Sequence, residues 1–554
     1  MSAAGLTFGA VARHGRGWLP LVGFSALLGS AVTLALPTVL GHAVDAIASG
    51  NRLSDWLTLA CVLITVGVVS ALLDAFAGTA CVAGTTAWLR HQLVGRVLAG
   101  GPEGIRGFET GDLVSRVSGS ASDAAQAGPT AVTAVAAAAP PLGSLVLLAL
   151  IDPWLAAAFF GGVLLVIAVL WAFARRTTEI SLAYQETQGR IAALLTEALG
   201  GIRTIAAAGT VEREERRILA PLPELHSHGR LTWRVLARSG SQAALVGPLV
   251  LVSVLAIGGL QLVAGRITAG ELFAAAQYAV IGAGLGSLTG LLGEIARARA
   301  GVRRSAEILA VEPVAYGTLP LPPGPGRLEF DDVCVTVNGV TLLDHVTLDL
   351  PGGATIAVVG PSGAGKSVLA ALAARLRDPD SGLVLLDGVP LRAIARPALR
   401  RAVGCAFERP VLFGRTVSES ISAGAVTPVR MLAAARATHV HHYASRLPDG
   451  YRTPLPEAPM SGGEAQRLGL ARAWSAERLL VLDDATSSLD TATEMQINQT
   501  FTDDRLHRTR LIVTHRAATA ARADVVVWLQ HGQVRGVGSH ARLWHAAAYR
   551  EIFG

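Results

Sequence analysis

Six stretches of this chain run for at least 18 residues without an Asp, Glu, Lys or Arg: Gly17 to Val44, Trp56 to Leu73, Ala124 to Ile151, Pro153 to Ala174, Ser239 to Gly265 and Leu272 to Gly293. A helix needs about 20 mostly apolar residues to cross a hydrocarbon layer of ~30 Å, so the sequence predicts about six spanning helices. An apolar fraction of 51% is high for a soluble protein and agrees. Charged residues make up only 16% of the chain, and their normal mixture returns after about residue 300. Two regions of different class follow, and a soluble protein is excluded. Asp74 closes the second and shortest stretch. An interfacial position for it is favoured over an intramembrane substrate or proton site.

Connections after the first, third and fifth stretches are short, whereas those after the second and fourth run to about 50 and about 65 residues. The long ones carry the arginines, among them Arg90, Arg96, Arg106 and Arg116 in one and Arg203, Arg213, Arg216 and Arg217 in the other, with Arg13 and Arg16 before the first stretch. By the positive-inside rule both termini and both long connections face the cytoplasm. No basic run is interleaved with aromatics, so the net charge of +6 does not point to nucleic acid. About 25 helical residues reach ~40 Å at 1.5 Å each, and the long connections should therefore project below the bilayer as helix pairs. The first apolar run exceeds an ordinary signal-peptide core and reads as an uncleaved span. Cys61, Cys81, Cys334 and Cys405 show neither paired nor metal-ligand spacing and read as small buried residues. Gln261, Gln277 and Tyr278 suit either a cavity wall or hydrogen bonding between helices, and Gly282, Gly284, Gly286 and Gly290 permit close helix approach.

Beyond the Pro/Gly-rich segment Val314 to Gly326, β-rich and helical runs alternate. Gly360, Pro361, Ser362, Gly363, Ala364, Gly365, Lys366 and Ser367 spell G-x-x-x-x-G-K-S, the phosphate-cradling P-loop pattern. The apolar run Ala354 to Val359 before it predicts a buried strand, and Val368 to Leu376 after it a helix, which is the context the motif needs. Lys366 is the only lysine in the chain. A compact ammonium on a flexible stem can reach between β- and γ-phosphates where a forked guanidinium cannot. Further on, Leu479 to Asp484 is an apolar run with two acids at its carboxyl end. Asp483 can hold Mg²⁺ there, directly or through water, beside the Ser367 hydroxyl.

That acidic pair follows M-S-G-G-E, Met460 to Glu464, which with Gln466, Arg467 and Ala471 to Ala473 is similar to the signature motif of the ATP-binding-cassette transporter family. Gly111 to Arg116 with Asp123, Glu197 to Ile205, and Val263 to Leu272 resemble segments of exporters of that family, so the resemblance covers nearly the whole chain. It implies a half-transporter of exporter fold. Residues 1–312 would form a six-helix membrane bundle with coupling helices near 110–122 and 210–222, residues 313–326 a linker, and residues 327–554 a P-loop α/β nucleotide-binding domain with a helical subdomain. ATP and Mg²⁺ are the implied cofactors. Two nucleotide domains of the family pair head to tail, so Ser461, Gly462, Gly463 and Glu464 would meet the γ-phosphate held on a partner's P-loop. Ser488, Leu489 and Asp490 fit the D-loop, and His515 fits the switch histidine that contacts the γ-phosphate and the attacking water.

Three positions depart from the family pattern. A catalytic glutamate is expected after Asp483, but Asp484 stands there. Its side chain is about 1.5 Å shorter, and a misplacement of about 1 Å can cost roughly 10²-fold in rate, so hydrolysis at this chain's own site should be slow. No aromatic near Val335 to Val337 is present to stack on adenine. Glu408 replaces the Q-loop glutamine, leaving a carboxylate oxygen that can still approach Mg²⁺. These departures beside a complete signature favour an asymmetric pair, a heterodimer over a homodimer of modest activity. The expected function is ATP-driven export of an amphipathic small molecule, lipid or peptide across the cell membrane. An ATP-binding regulatory subunit with little turnover and an importer of a metal chelate are the alternatives.

Overall fold

The computed structural model covers residues 1–554, of which 6–50, 53–283, 287–423, 426–487, 489–502 and 507–553 are described. The chain divides into two compact units, residues 1–98 with 108–311 and residues 99–107 with 312–554. In the first unit, the helices carrying the charge-free runs are α1 (Leu19–Ser49), α2 (Leu53–Gly104), α3 (Ala127–Ala136), α4 (Ala139–Ile151), α5 (Pro153–Gly200), α6 (Leu222–Val263), α7 (Ala269–Ala283) and α8 (Ser287–Leu309). Among the described residues, α1, α2 and the stretch Thr110–Ile151 are by themselves long and apolar enough to cross a membrane. The apolar parts described in α5 and α6, Pro153–Leu165 and Gly247–Val263, are shorter.

α5 and α6 pack along each other and contain 48 and 42 residues. At 1.5 Å per residue they reach about 72 and about 63 Å, roughly double the hydrocarbon thickness. Beyond α5 the chain bends by 71° into Ile202–Ala208, and the short charged helix Val211–Leu219 follows. There Arg217 pairs with Glu214 at 2.7 Å and Glu197 at 3.1 Å. In the first long connection Arg116 pairs with Asp112 at 2.7 Å and with Glu307 on α8. α2 is broken at Gly101, whose φ of 64° is left-handed and which precedes Pro102.

Local chemistry sets the crossings. Asp152 caps α5 by accepting from the Trp154 N–H at 2.8 Å, with Pro153 at the first helical position, so the chain reverses directly after α4. α1 and α7 meet at Gly41 and Gly270, where a side chain on either would strike the other's carbonyl. Asp45 locks that crossing by accepting from Thr268 Oγ1 at 2.7 Å and the Gly270 N–H at 2.8 Å. Tyr278 donates to the Leu34 carbonyl at 2.8 Å and bonds Thr38, so its hydroxyl serves helix contact. Gly282 packs against Phe159, Gly290 has open space, and Gly284 and Gly286 lie outside the described residues. Asp74 accepts from Ser25 Oγ at 3.2 Å and lines a cavity of about 730 Å³ with Arg90, Gln126 and Glu294. Of the cysteines only Cys81 is buried; Cys334 and Cys405 are half-buried, and Cys61 is exposed on a lipid-length helix. The expectation that all four are buried is therefore corrected, because an apolar helix face accommodates Cys61 and partly covered strands accommodate Cys334 and Cys405.

The second unit holds two sheets. One is antiparallel, with β1 (Leu328–Val337), β2 (Val340–Leu350), β4 (Ser381–Leu386) and β5 (Val389–Pro390) in the order β2-β1-β4-β5. The other contains β3 (Thr355–Val359), β6 (Val403–Phe407), β7 (Leu479–Asp483), β8 (Thr509–Val513), β9 (Val525–Gln530) and β10 (Gln533–Gly538) in the order β10-β9-β3-β8-β7-β6. β3, β6, β7, β8 and β9 pair in parallel. A parallel sheet is buried on both faces and needs continuous apolar strands, and Leu479, Leu480, Val481 and Leu482 are all at most 1% exposed. Truncating one of these leucines to alanine costs about 2–5 kcal/mol. A separate helical cluster around Val417, Ile421, Ala434, Ala435 and Leu468 carries the segment Met460 to Glu464.

Candidate functional site

Side chains of the site converge because parallel strands end together. β3 stops at Val359, and the loop from Gly360 turns into the helix α9 (Lys366–Ala373). Gly365 caps that helix at φ 97°, where a side chain would come within 2.6 Å of the Leu342 carbonyl. No side chain caps α9, and its first turn carries no acid, so its N–H groups and dipole are left for an anion. The Lys366 ammonium donates to the Gly360 and Pro361 carbonyls at 2.8 Å each. Burial lowers its pKa, while Asp484 and Asp483 oppose that shift.

The register pairs Phe407 with Asp483 and Asp483 with Val513. Glu408, Asp483, Asp484, Thr514 and His515 therefore follow neighbouring strand ends. Ser367 Oγ donates to Asp483 Oδ1 at 3.0 Å. A hydroxyl and a carboxylate oxygen this close are the donors a hard cation such as Mg²⁺ takes, so the residues present fit that ion. His515 Nε2 stands 3.7 Å from Asp484 Oδ2, a charge contact rather than a hydrogen bond. Burial pushes the carboxyls of both Asp483 and Asp484 above the ordinary aspartate value, and the Glu408 carboxylate pushes in the same direction. Asp484 itself occupies a left-handed conformation, φ 48°.

Ser461 caps α10 (Gly462–Trp474) in a reciprocal arrangement. The Glu464 N–H donates to Ser461 Oγ at 3.3 Å, while the Ser461 N–H and hydroxyl donate to Glu464 Oε2 at 2.6 and 2.8 Å. Among the described residues no hydrogen bond joins Ser461, Gly462, Gly463 or Glu464 to the P-loop of the same chain. Leu489 is buried, Asp490 accepts from the Thr493 N–H at 2.9 Å, and Ser488 lies outside the described residues.

Two links, made by Gln466 and Arg516, are not visible in the sequence. Gln466 donates to the Glu408 carbonyl at 2.7 Å and to Ser487 Oγ at 3.2 Å, linking α10 to the segments after β6 and β7. Arg516, next to His515, pairs with Glu494 and donates to the Ser487 carbonyl at 3.1 Å. Neither link leaves a mark in local spacing. The Ser461 and Glu464 bond does, as an S-x-x-E capping box.

Comparison with known proteins agrees with this architecture. The family of the ABC transporter transmembrane region matches residues 19–283 and the ABC transporter family matches residues 343–487. The chain is 46% identical over 549 residues to the ABC transporter ATP-binding protein RamA of Streptomyces coelicolor, covering 98% of this chain and 86% of that one. It is 32% identical over 380 residues to the fatty acid ABC transporter ATP-binding/permease protein of Mycobacterium bovis, covering 67% of this chain and 60% of that one. A bacterial Atm1-family ABC exporter solved with ATP bound superimposes with a TM-score of 0.80 at 25% identity, over 97% of this chain and 98% of that one. This chain belongs to the ABC transporter family: a transport ATPase of exporter fold, with its membrane region and ATP-binding domain fused in one polypeptide.

Proposed function

We propose that this protein is one half of a dimeric, ATP-driven exporter, that its preferred partner is a different half-transporter, and that its own ATP site turns over slowly. The carrying observation is Asp484 in the place of the longer glutamate, 3.7 Å from His515 and too long for a hydrogen bond. In this reading residues 1–312 form the membrane domain, 313–326 the linker and 327–554 the engine. Both termini and the engine are cytoplasmic, in the cell membrane. Gly360 to Gly365 and Lys366 cradle the phosphates. Ser367 and Asp483, with Glu408 nearby, would hold Mg²⁺, which would supply positive charge to offset that of the phosphates. Asp484 orients and deprotonates the attacking water, and His515 steadies the γ-phosphate. Ser461, Gly462, Gly463 and Glu464 complete the site on the partner's P-loop. ATP binding draws the two engines together, and the long α5 and α6 helices carry that motion to the membrane.

An amphipathic small molecule, lipid or peptide is the proposed cargo. The apolar bundle supports it, and the relative named as a fatty acid transporter supports the lipid end of that range. Isolation from the native membrane followed by mass spectrometry should identify a second half-transporter and a bound amphiphile. Reconstituted vesicles should then accumulate that amphiphile only with ATP. Equal flux without ATP would defeat the transport reading, and isolation of the chain solely as a homodimer would defeat the heterodimer.

A further inference from the structure

On the antiparallel sheet, Cys334 on β1 meets Asp344 and His345 on β2, with one ligand atom from each lying within 4.8 Å of the others. The hairpin makes this possible in a way the four scattered cysteines never signalled. Register shifts between β1 and β2 on either side of Val333 interrupt the alternation. As a result Val333, Val335, Leu343 and Val346 stay in the core while Cys334, Asp344 and His345 share the outer side. The ring of His345 is already oriented, since its Nδ1 is 2.6 Å from Asp332 Oδ1. That bond favours the tautomer with the proton on Nδ1, leaving Nε2 as an unprotonated donor, and a carboxylate behind a ligating imidazole raises its basicity. Asp344 is held by Gln533, which donates to its Oδ2 at 2.8 Å, leaving Oδ1 available. Among the described residues the Cys334 sulfur accepts only the His345 N–H, at 3.3 Å.

We propose that Cys334, Asp344 and His345 form a binding site for a divalent transition-metal ion, with Zn²⁺ the best match. Thiolate, imidazole and carboxylate are the zinc donor set, at about 2.0–2.3 Å from the ion, and three protein ligands leave a fourth position to water. A contraction of roughly 1 Å in the spread of the three atoms brings them to that geometry. On binding, the Cys334 thiol becomes a zinc-bound thiolate and its proton passes to solvent. Soft and borderline character in the donors disfavours Mg²⁺ and Ca²⁺. The site lies on the antiparallel sheet, so it is distinct from the Ser367 and Asp483 cation site. Asp332 is a positioning residue for it.

The test uses the purified full chain without nucleotide and Co²⁺ as the spectroscopic probe. One equivalent of Co²⁺ should give a near-ultraviolet thiolate-to-metal band and tetrahedral d–d absorption, and Zn²⁺ should displace both. The Cys334→Ser variant should lose the band and His345→Ala should lose tight binding, while Asp332→Asn should weaken affinity roughly 10- to 100-fold with the band retained. A far-ultraviolet circular dichroism spectrum and thermal unfolding midpoint equal to the parent's in each variant establish that the fold is intact. Lys366→Ala should keep the full cobalt spectrum. No band in the parent protein, or a band that survives Cys334→Ser, overturns the proposal.

Discussion

Two helices of the ATP-binding unit begin with glycines and point their N-termini at places where a phosphate belongs, and they are built differently. α9 starts behind Gly365 with no side-chain cap and no acid in its first turn, so its N–H groups and dipole await an anion from outside. α10 starts behind Ser461 and has already recruited an anion of its own, the Glu464 carboxylate, which takes both the Ser461 N–H and its hydroxyl. The P-loop is thus an open cradle, whereas on the proposed function the signature helix would exchange an internal carboxylate for a γ-phosphate before it contributes. On that reading the first binds within one chain, and engagement of the second would need a partner to bring the competing anion.

The comparison can be broken at four points. Lys366→Ala carries the largest effect, because it removes the cation from the open cradle: turnover at this chain's own site should fall roughly 10²–10³-fold, as for loss of a preorganised donor, with labelled ATP binding at that site lost in parallel. An unchanged affinity would contradict the cradle. Next is pH. Burial holds the Asp484 carboxyl above its ordinary value, and only the ionised form can accept a proton. ATPase activity at this chain's own site, read with the partner's site inactivated, should therefore rise with pH through that raised value, by up to about tenfold per unit, and an acid limb at the ordinary carboxylate value would refute the assignment. Glu464→Gln keeps the capping box but removes the competing charge. It should speed ATPase at the partner's site by about 2- to 5-fold, the scale of a charge of about 0.3–1 kcal/mol at a helix terminus; a slower complex would mean that the carboxylate assists. Ser461→Ala is the mildest, costing about 1 kcal/mol through the lost cap, read as a lowered midpoint in thermal unfolding of the ATP-free protein.

How much of this was legible depended on distance along the chain. The P-loop, the acids of β7 and the signature are contiguous motifs, each tied to a strand end or helix start, and the strands and helices around them formed close to where the apolar runs put them. The six apolar runs likewise marked the helices of the membrane half. What the sequence could not carry were links made by the fold. Gln466 reaches Glu408 across 58 positions and Arg116 reaches Glu307 across 191, and neither partner advertises the other. Residues 99–107 group with the ATP-binding unit after the left-handed break at Gly101, although they precede it by more than 200 positions. Cys334 and His345 have no metal-ligand spacing, and only the bulged hairpin brings them together.

On the proposed function this chain's own site holds ATP well and hydrolyses it slowly because Asp484 falls short of the water it must position. Steady-state phosphate release by the purified complex, compared between the parent protein and Asp484→Glu, tests it most directly. The glutamate should raise the rate while ATP affinity stays the same. An unchanged or lower rate, with nucleotide still bound, would contradict it.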